Sequence, residues 1–291
     1  MNVSEWEASG AYLDTPDGRV FYARRGDTHI DEAVVLLHGF PTASWDFCGV
    51  IDALAEKRAV VTFDFLGFGL SDKPERFGYS LFEHADTTAL VLRELGVRRA
   101  HVIAHDMGTS VTTELLARRE RGLLPFEIAS VVLMNGSVHI DLAHLTPGQK
   151  LLRSPLGGLF ARLSTKRSFA MQLRRLFARP LGDAELDAMW ALVSRADGAL
   201  RLPKAIGYVG ERWRFERRWI GALERLEGLP LLVAWGRKDP VAVYAIADAI
   251  AQEVRGAERV TWDELSHWPQ VEDPKRVGRD LIAFLDRAAS R

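Results

Sequence analysis

The sequence predicts an α/β protein with a mainly parallel β-sheet, flanking helices and a helical insertion. From Ala33 onwards, short apolar runs rich in β-branched residues alternate with segments of helical periodicity. A hairpin pattern precedes the first run. One interval between two runs is about ninety residues long, far more than a usual connection, so we expect it to form structure of its own.

The strands follow from the apolar runs. GAYLDTPDGRVFYARRG indicates an antiparallel hairpin at the edge of the sheet, with its turn at Pro16–Gly18. Six further runs predict strands of the main sheet: AVVLLHG, AVVTFDFLG, AHVIAHD, ASVVLMNG, LPLLVAWG and AERVTWDE.

Segments of helical periodicity lie between and after these runs. SWDFCGVIDALAEK, SLFEHADTTALVLRELG and PKRVGRDLIAFLDRAA each predict a helix of the core. The long interval contains helical patterns in DAELDAMWALVSRADG and ERWRFERRWIGALERL, and no convincing strand. The predicted domains are therefore a core of residues 1–138 and 227–291 and a helical cap of residues 139–226.

Composition argues against several classes of protein. With 38 basic and 39 acidic residues and no basic stripe, the chain has no indication of nucleic-acid binding. The single cysteine, Cys48, provides neither an internal disulfide nor a zinc cluster, and we expect no metal and no cofactor. The N-terminal MNVSEWEASG lacks a signal pattern, and no run is long enough to span a bilayer. We expect a cytoplasmic monomer or homodimer without a membrane partner.

The stretch AHVIAHDMGTSV places an aspartate, Asp106, where a strand turns into a helix. In an open α/β sheet the functional crevice lies beyond the C-terminal strand ends. A tight turn with small flanking residues, here Ala104 and Gly108, presents its apex side chain from strained backbone. No G-x-S-x-G occurs in the chain, so Asp106 is the candidate nucleophile. A helix N-cap is the simpler alternative.

Three other segments supply partners for a nucleophile. HGFP places the N–H of Phe40 after a glycine, where it can form an oxyanion hole with the N–H of Met107. GRKDP places Asp239 after one strand, and SHWPQVEDP places His267 after the last. Alone, these two residues would be an ordinary N-cap and a structural histidine. The order Asp106, Asp239, His267 matches the nucleophile, acid and base of a hydrolase triad.

Five segments together resemble the α/β-hydrolase family: HGFP, FDFLGFGLSDKP, GRKDP, SHWPQVEDP and HDMG, the strand-to-helix turn at Asp106 that is here called the elbow. The resemblance is to its aspartate-nucleophile group of epoxide hydrolases and haloalkane dehalogenases. The run from DAMWALVSRADG to SHWPQVEDP also resembles the branch that includes the mesoderm-specific transcript protein. The resemblance covers nearly the whole chain and implies an eight-stranded sheet, an inserted cap and an Asp-His-Asp triad.

An aspartate nucleophile implies attack on an sp³ carbon, which forms an alkyl ester on the enzyme. Water then hydrolyses the ester. His267, held by Asp239, acts as base, and the Phe40 and Met107 amides stabilise the oxyanion. We therefore expect His267 to be neutral in the resting enzyme and Asp106 to be exposed in the cleft.

The leaving atom separates two chemistries. An epoxide oxygen needs an O–H donor, whereas a halide needs N–H donors such as indoles. The family's dehalogenases usually place Trp after the nucleophile and Asn or Trp after the HG pair, where this chain has Met107 and Phe40. Tyr208, in AIGYVGERW, resembles the cap tyrosine of epoxide hydrolases, which generally use two. Three residues are candidates for the second donor: His139, His144 and Trp190.

The sequence thus predicts a hydrolase that opens small apolar epoxides to vicinal diols through an ester on Asp106. Dehalogenation of haloalkanes or haloacids by the same nucleophile is one alternative, and a non-catalytic binding protein is another. His105 is interpreted as support for the elbow, and RWRFERRW as a solvated helix face with buried tryptophans. The predicted substrate pocket comprises His38, Phe40, His139, Trp190 and Trp268.

Overall fold

The computed structural model describes residues 1–290, which contain a central eight-stranded sheet. Its strands are β1 (Gly10–Thr15), β2 (Gly18–Arg25), β3 (Glu32–Leu37), β4 (Ala59–Phe63), β5 (Arg99–His105), β6 (Glu127–Met134), β7 (Leu231–Gly236) and β8 (Glu258–Trp262). The spatial order is β1-β2-β4-β3-β5-β6-β7-β8. β2 pairs antiparallel with β1 and β4, and the strands from β4 to β8 in this order run parallel. The predicted mainly parallel sheet with a hairpin at its edge is confirmed.

Helices cover the sheet and fill the long interval between β6 and β7. They are α1 (Val3–Ala8), α2 (Ile51–Ala55), α3 (Leu81–Glu94), α4 (Met107–Arg119), α5 (Pro147–Leu152), α6 (Gly157–Arg162), α7 (Lys166–Leu173), α8 (Asp183–Ser194), α9 (Leu202–Ala205), α10 (Tyr208–Arg214), α11 (Glu216–Glu224), α12 (Tyr244–Glu253), α13 (Pro269–Glu272) and α14 (Pro274–Ala289). Among residues 1–290, no helix has both the length and the apolar character needed to cross a membrane.

The central strands form because their side chains are apolar on both faces. Val34, Val35 and Leu36 in β3 are fully buried, as are most residues of β5 and β6. Such continuous apolar runs suit parallel strands that helices cover on both sides. The registers Leu37↔Ala104 and His105↔Met134 align the C-terminal ends of β3, β5 and β6. Residues that follow these strands are therefore gathered at one edge of the sheet.

Three predicted helices differ from the structure in their continuity. SWDFCGVIDALAEK forms a 3₁₀ turn, Ser44–Phe47, and then α2, with Gly49 between the two. The helix of DAELDAMWALVSRADG ends at Ser194, since Ala196 and Asp197 take positive φ angles of 48° and 57°. ERWRFERRWIGALERL is divided between α10 and α11 at Phe215. The interruptions after Ser194 and at Phe215 lie within residues 139–226, here called the insertion. This insertion is therefore a set of short helices.

A buried carboxylate joins the insertion to the helix that starts at the elbow. Glu114 of α4 has a side chain that is 1% exposed. Its oxygens accept hydrogen bonds from Arg218 Nε at 2.6 Å, Trp219 Nε1 at 2.9 Å and Arg118 Nε at 2.8 Å. Because Arg218 and Trp219 belong to α11, this network fixes the end of the insertion against α4.

Candidate active site

The elbow at Asp106 has the strained geometry that its small neighbours indicate. Asp106 lies between β5 and α4 with φ 46° and ψ −111°, a combination that costs free energy for any residue with a Cβ. The Asp106 carbonyl accepts the Thr109 hydroxyl at 2.6 Å. The Asp106 side chain makes no capping bond to α4. Its carboxylate is thus directed away from the helix that it precedes.

Two glycines allow the elbow to approach strand β3. A Cβ added at Gly39 would lie 2.5 Å from the Cβ of Asp106. A Cβ added at Gly108 would lie 2.4 Å from the carbonyl oxygen of Leu37. Larger residues would therefore separate the HGFP loop from the elbow at Asp106, which explains the glycine in each of these motifs.

The carboxylate of Asp106 is held by a backbone amide of the HGFP loop. The N–H of Phe40 donates to Asp106 Oδ2 at 2.8 Å. Met107 is the first residue of α4, where N–H groups lack a partner within the helix. The expectation that Asp106 is exposed in a cleft is wrong: only 3% of the residue is accessible. The HGFP loop and the elbow enclose it.

Asp239 and His267 form a buried pair beside the elbow. His267 Nδ1 lies 2.7 Å from Asp239 Oδ2. The other oxygen of Asp239 accepts the N–H groups of Val241 and Ala242 at 2.8 and 3.0 Å. Asn135 Nδ2 donates to Asp239 Oδ2 at 2.9 Å. These donors fix the carboxylate, which in turn orients the imidazole so that Nε2 faces Asp106.

His267 and Asp106 are close but not hydrogen-bonded, since Nε2 lies 4.0 Å from Oδ1. Burial lowers the pKa of His267, but the carboxylates of Asp239, Asp106 and Asp46 outweigh it and raise the pKa above the ordinary value. The expectation of a neutral resting imidazole considered the role of a base and omitted these negative charges, which favour the protonated form. It stays a prediction.

The residues next to His267 hold its loop in place. His105 Nε2 lies 2.7 Å from the His267 carbonyl, which agrees with a supporting role. Burial and the neighbouring His267 lower the pKa of His105 to about 4. Trp268 donates its indole N–H to Asp46 Oδ2 at 2.9 Å. Burial raises the pKa of Asp46 to about 7, so this carboxyl titrates near neutrality.

A mostly apolar cavity of about 70 Å³ lies between the core and the insertion. Phe40, His267 and Trp268 line it from the core. The insertion contributes mainly apolar side chains: Leu152, Phe160, Phe169, Leu173, Leu176, Trp190, Val193 and Leu202. This volume holds only a few water molecules.

Two residues predicted for the pocket do not line this cavity. His38 is fully buried below the HGFP loop, where its Nε2 accepts the Phe65 N–H at 3.0 Å. His139 lies 3.0 Å from Glu253 Oε2 and is bound to α12. His38 and His139 follow strands β3 and β6 in the sequence, so both residues come after the C-terminal edge of the sheet. Their polar nitrogens have partners within the protein, which direct both rings away from the cavity.

Tyr208 lies beside the site but outside the cavity lining. It is 1% exposed, and its ring centroid is 5.7 Å from that of Phe40. Burial and the charge of Asp106 raise its pKa above the ordinary value, so the phenol keeps its proton at neutral pH. Phe40 therefore contacts both groups, Asp106 through its N–H and Tyr208 through its ring.

The family model of the α/β-hydrolase fold matches residues 32–274. The chain belongs to this family. LipZ of Mycobacterium tuberculosis strain H37Rv is 44% identical over 288 residues, which cover 98% of each chain. The human mesoderm-specific transcript homolog protein is 35% identical over 296 residues, covering 98% of this chain and 88% of that protein.

Solved structures of other α/β-hydrolases share the fold. The crystal structure of the haloalkane dehalogenase DbeA from Bradyrhizobium elkani has a TM-score of 0.79 at 20% identity. The match covers 97% of this chain and 99% of DbeA. The protein is therefore an enzyme of the α/β-hydrolase superfamily, with the eight-stranded sheet that the sequence motifs implied.

Sequence reasoning missed three residues of this α/β-hydrolase site. Asn135 follows β6 directly, so its position at a strand end was an available signal. Asp46 lies in the 3₁₀ turn Ser44–Phe47, where no comparable pattern indicated it. Arg212 was interpreted as solvated, but it is 2% exposed, with Nε donating to Ser110 Oγ at 2.8 Å and its guanidinium 4.6 Å from the Tyr208 ring. Trp213, expected to be buried, is 55% exposed.

Proposed function

We propose that this α/β-hydrolase opens epoxides to vicinal diols through a covalent ester on Asp106. The arrangement of the Asp106 carboxylate supports this most directly. Oδ2 is held by the Phe40 amide at 2.8 Å, and Oδ1 lies 4.0 Å from the base His267. A carboxylate at an elbow apex attacks carbon without first losing a proton, so it needs no hydrogen bond to a base.

The first step is attack of Asp106 Oδ1 on a ring carbon of the epoxide. The new bond joins Oδ1 to carbon, and the carbon–oxygen bond of the ring breaks. The ring oxygen leaves with the electron pair and takes the proton of the Tyr208 hydroxyl. Asp106 Oδ2, already bound to Phe40 N–H, becomes the carbonyl oxygen of the resulting ester.

The second step is hydrolysis of that ester. His267 removes a proton from water, and the hydroxide attacks the carboxyl carbon of Asp106. Negative charge develops on Oδ2, where the Phe40 and Met107 amides stabilise it. Collapse of the tetrahedral intermediate breaks the bond from the Asp106 carboxyl carbon to the alkoxide oxygen. This oxygen takes the remaining proton of the attacking water, so the diol leaves and the carboxylate is restored. The proton held by His267 returns to Tyr208, so the overall reaction consumes one epoxide and one water.

Ester formation itself prepares His267 for the second step. In the resting enzyme the negative charge of Asp106 contributes to the raised pKa of His267. An ester at Asp106 carries no charge, so that contribution disappears and the pKa of His267 falls. The neutral imidazole, which is the form that acts as a base, is then more populated. The two chemical steps are thus coupled through one electrostatic interaction.

Hydrogen-bond donors around the site favour an oxygen over a halide as leaving atom. Trp268 faces the cavity, but its indole N–H is occupied by Asp46 Oδ2 at 2.9 Å. Met107 and Phe40 supply no side-chain N–H. Tyr208 supplies a phenol whose ring packs 5.7 Å from that of Phe40. A phenol is a suitable donor for a developing alkoxide.

Dehalogenation by the same nucleophile is the second candidate. The observation in its favour is Trp190, an indole-bearing residue of the insertion that lines the cavity. Indole N–H groups stabilise departing halide ions. The fold similarity to a haloalkane dehalogenase is compatible with both chemistries.

A substrate panel tests the proposal and separates it from this alternative. Purified enzyme is incubated with terminal and internal epoxides and with chlorinated and brominated alkanes, and diol and halide are quantified. Intact-protein mass is measured during single turnovers. We expect diol formation and a transient increase in protein mass equal to the mass of the epoxide. Halide release without diol from any epoxide would instead support dehalogenation.

A further inference from the structure

The outer surface of helices α5 to α7 carries exposed apolar side chains. Three leucines, Leu156, Leu159 and Leu163, are 61%, 57% and 69% exposed. They lie at and around α6 with spacings of three and four residues, so they share one face of the helix. Exposed leucines grouped on one face indicate an interaction surface, whereas isolated ones do not.

Basic residues lie close to these leucines in the sequence. From residue 142 to residue 182 the chain has eight Lys and Arg residues and no Asp or Glu. Without these eight, 30 basic and 39 acidic residues remain, so the rest of the molecule is acidic. Six of the eight are exposed and form no ion pair within residues 1–290: Lys150, Arg153, Arg162, Arg167, Arg174 and Arg175.

We propose that this leucine-and-arginine surface, residues 150–175, docks on an anionic lipid bilayer. Leucines enter the boundary between headgroups and acyl chains, and basic side chains contact the anionic headgroups. Charge complementarity identifies the partner. A polyanion such as DNA could contact the basic side chains, but it would not account for the three exposed leucines of this surface. A second copy would place two basic faces against one another if the same surface were used by both.

The inner side of the same helices lines the substrate cavity. Leu152, Phe160, Phe169 and Leu173 face the cavity, while Leu156, Leu159 and Leu163 face outwards. Docking would therefore bring the cavity within one helical layer of the bilayer. An apolar substrate dissolved in lipid could reach it without crossing water. This consequence rests on the proposed function, whereas docking itself does not.

The expectation of no membrane partner considered only segments that span a bilayer. Peripheral docking needs no such segment, because a short helix lies along the surface. The separation of charge between this surface and the rest of the molecule also orients the protein. The acidic remainder is repelled by anionic lipid, so only one face approaches.

Vesicle sedimentation tests docking without any turnover. The full chain is mixed with vesicles of phosphatidylcholine alone or with phosphatidylglycerol. One variant carries L156S, L159S and L163S, and a second carries R162Q and R167Q. The control is Leu123→Ser, because Leu123 is 63% exposed but lies outside this surface. Circular dichroism and the melting temperature establish that each variant is folded.

We expect the wild type to bind anionic vesicles at least about tenfold better than neutral ones, with the preference decreasing in high salt. Each multiple variant should lose about tenfold or more on anionic vesicles, and Leu123→Ser should bind like the wild type. Equal binding to both vesicle types, or unchanged binding of both multiple variants, would overturn the proposal. Tighter binding to a short DNA duplex that survives the leucine substitutions, or dimers that the same substitutions dissociate without vesicle binding, would also overturn it.

Discussion

Nε2 of His267 lies 4.0 Å from Oδ1 of Asp106, beyond hydrogen-bonding distance. A serine at the same apex would need a hydrogen bond to the base, because its hydroxyl must lose a proton before attack. An aspartate is already an anion and needs none. Under the proposed mechanism, His267 instead acts on a water molecule in the second step.

Asp106→Ala should lower turnover of any substrate at least about a thousandfold, because the attacking oxygens are removed. The side chain makes no capping bond to α4, so the fold should persist. Turnover and the melting temperature are measured together. An exposed carboxylate, Asp52, gives the matched control Asp52→Ala, which should keep full activity. Substantial activity in folded Asp106→Ala would remove Asp106 from the reaction.

His267→Gln should allow ester formation and block its hydrolysis. Attack by Asp106 requires no proton transfer to His267, whereas activation of water does. After incubation with epoxide, the intact protein should therefore retain the mass of the substrate. The double variant Asp106→Ala with His267→Gln is the control and should gain no mass. Normal turnover by His267→Gln without an adduct would exclude His267 as the base.

Tyr208→Phe should slow ester formation with an epoxide about a hundredfold or more, the usual contribution of one general acid. Hydrolysis of the ester should change much less, and single-turnover kinetics measure the two steps separately. Tyr79→Phe is the control, since the Tyr79 hydroxyl donates to the Pro74 carbonyl at 2.6 Å, a contact outside the proposed chemistry. If Tyr208→Phe forms the ester at the wild-type rate, the phenol is not the donor.

Asp46→Asn should shift the pH dependence of ester hydrolysis. The reaction needs neutral His267, so its rate decreases as the pH falls through the pKa of that residue. Asp46 helps to raise this pKa, so its removal should move the acidic limb to lower pH. The rate at high pH should persist, because asparagine still accepts the Trp268 N–H. An unchanged acidic limb would show that Asp46 and His267 are not coupled.

Glu114→Gln should destabilise the protein at neutral pH by about 1.5–3 kcal/mol, because the half-buried Arg218 loses its carboxylate partner, while Arg118 keeps Asp86. Burial raises the pKa of Glu114, but the bonds from Arg218, Arg118 and Trp219 lower it further, so the net pKa is below the ordinary value. Its stabilising contribution is therefore present above the ordinary pKa and is lost as the pH falls through the folded-state value.

Denaturant unfolding at neutral and acidic pH measures this effect. The difference between wild type and Glu114→Gln should decrease under acidic conditions. Glu120→Gln is the matched control, since Glu120 forms a more exposed ion pair with Arg225 and should cost at most about 1 kcal/mol. An equal loss of unfolding free energy in both variants would mean that the burial of Glu114 does not determine its contribution to stability.

The fold was predictable from sequence because periodicity and turn residues are local signals. The hairpin at Pro16–Gly18, the parallel strands and α14 follow directly from such patterns. Helix continuity was less predictable. The interruption at Ala196 and the break at Phe215 arise from backbone geometry that no hydrophobic period records.

The sequence by itself determined which residue types stand at the C-terminal ends of the strands, including Asp106, Asp239 and His267. Strand ends can be identified locally, and parallel pairing brings them to one edge. Only the tertiary structure decided which atoms meet there. Three features of the site are long-range contacts: the hydrogen bond of Trp268 to Asp46, the burial of Arg212 against Tyr208, and the charges that raise the pKa of His267. Such contacts depend on distances between segments far apart in the chain, and a local pattern contains no information about those distances.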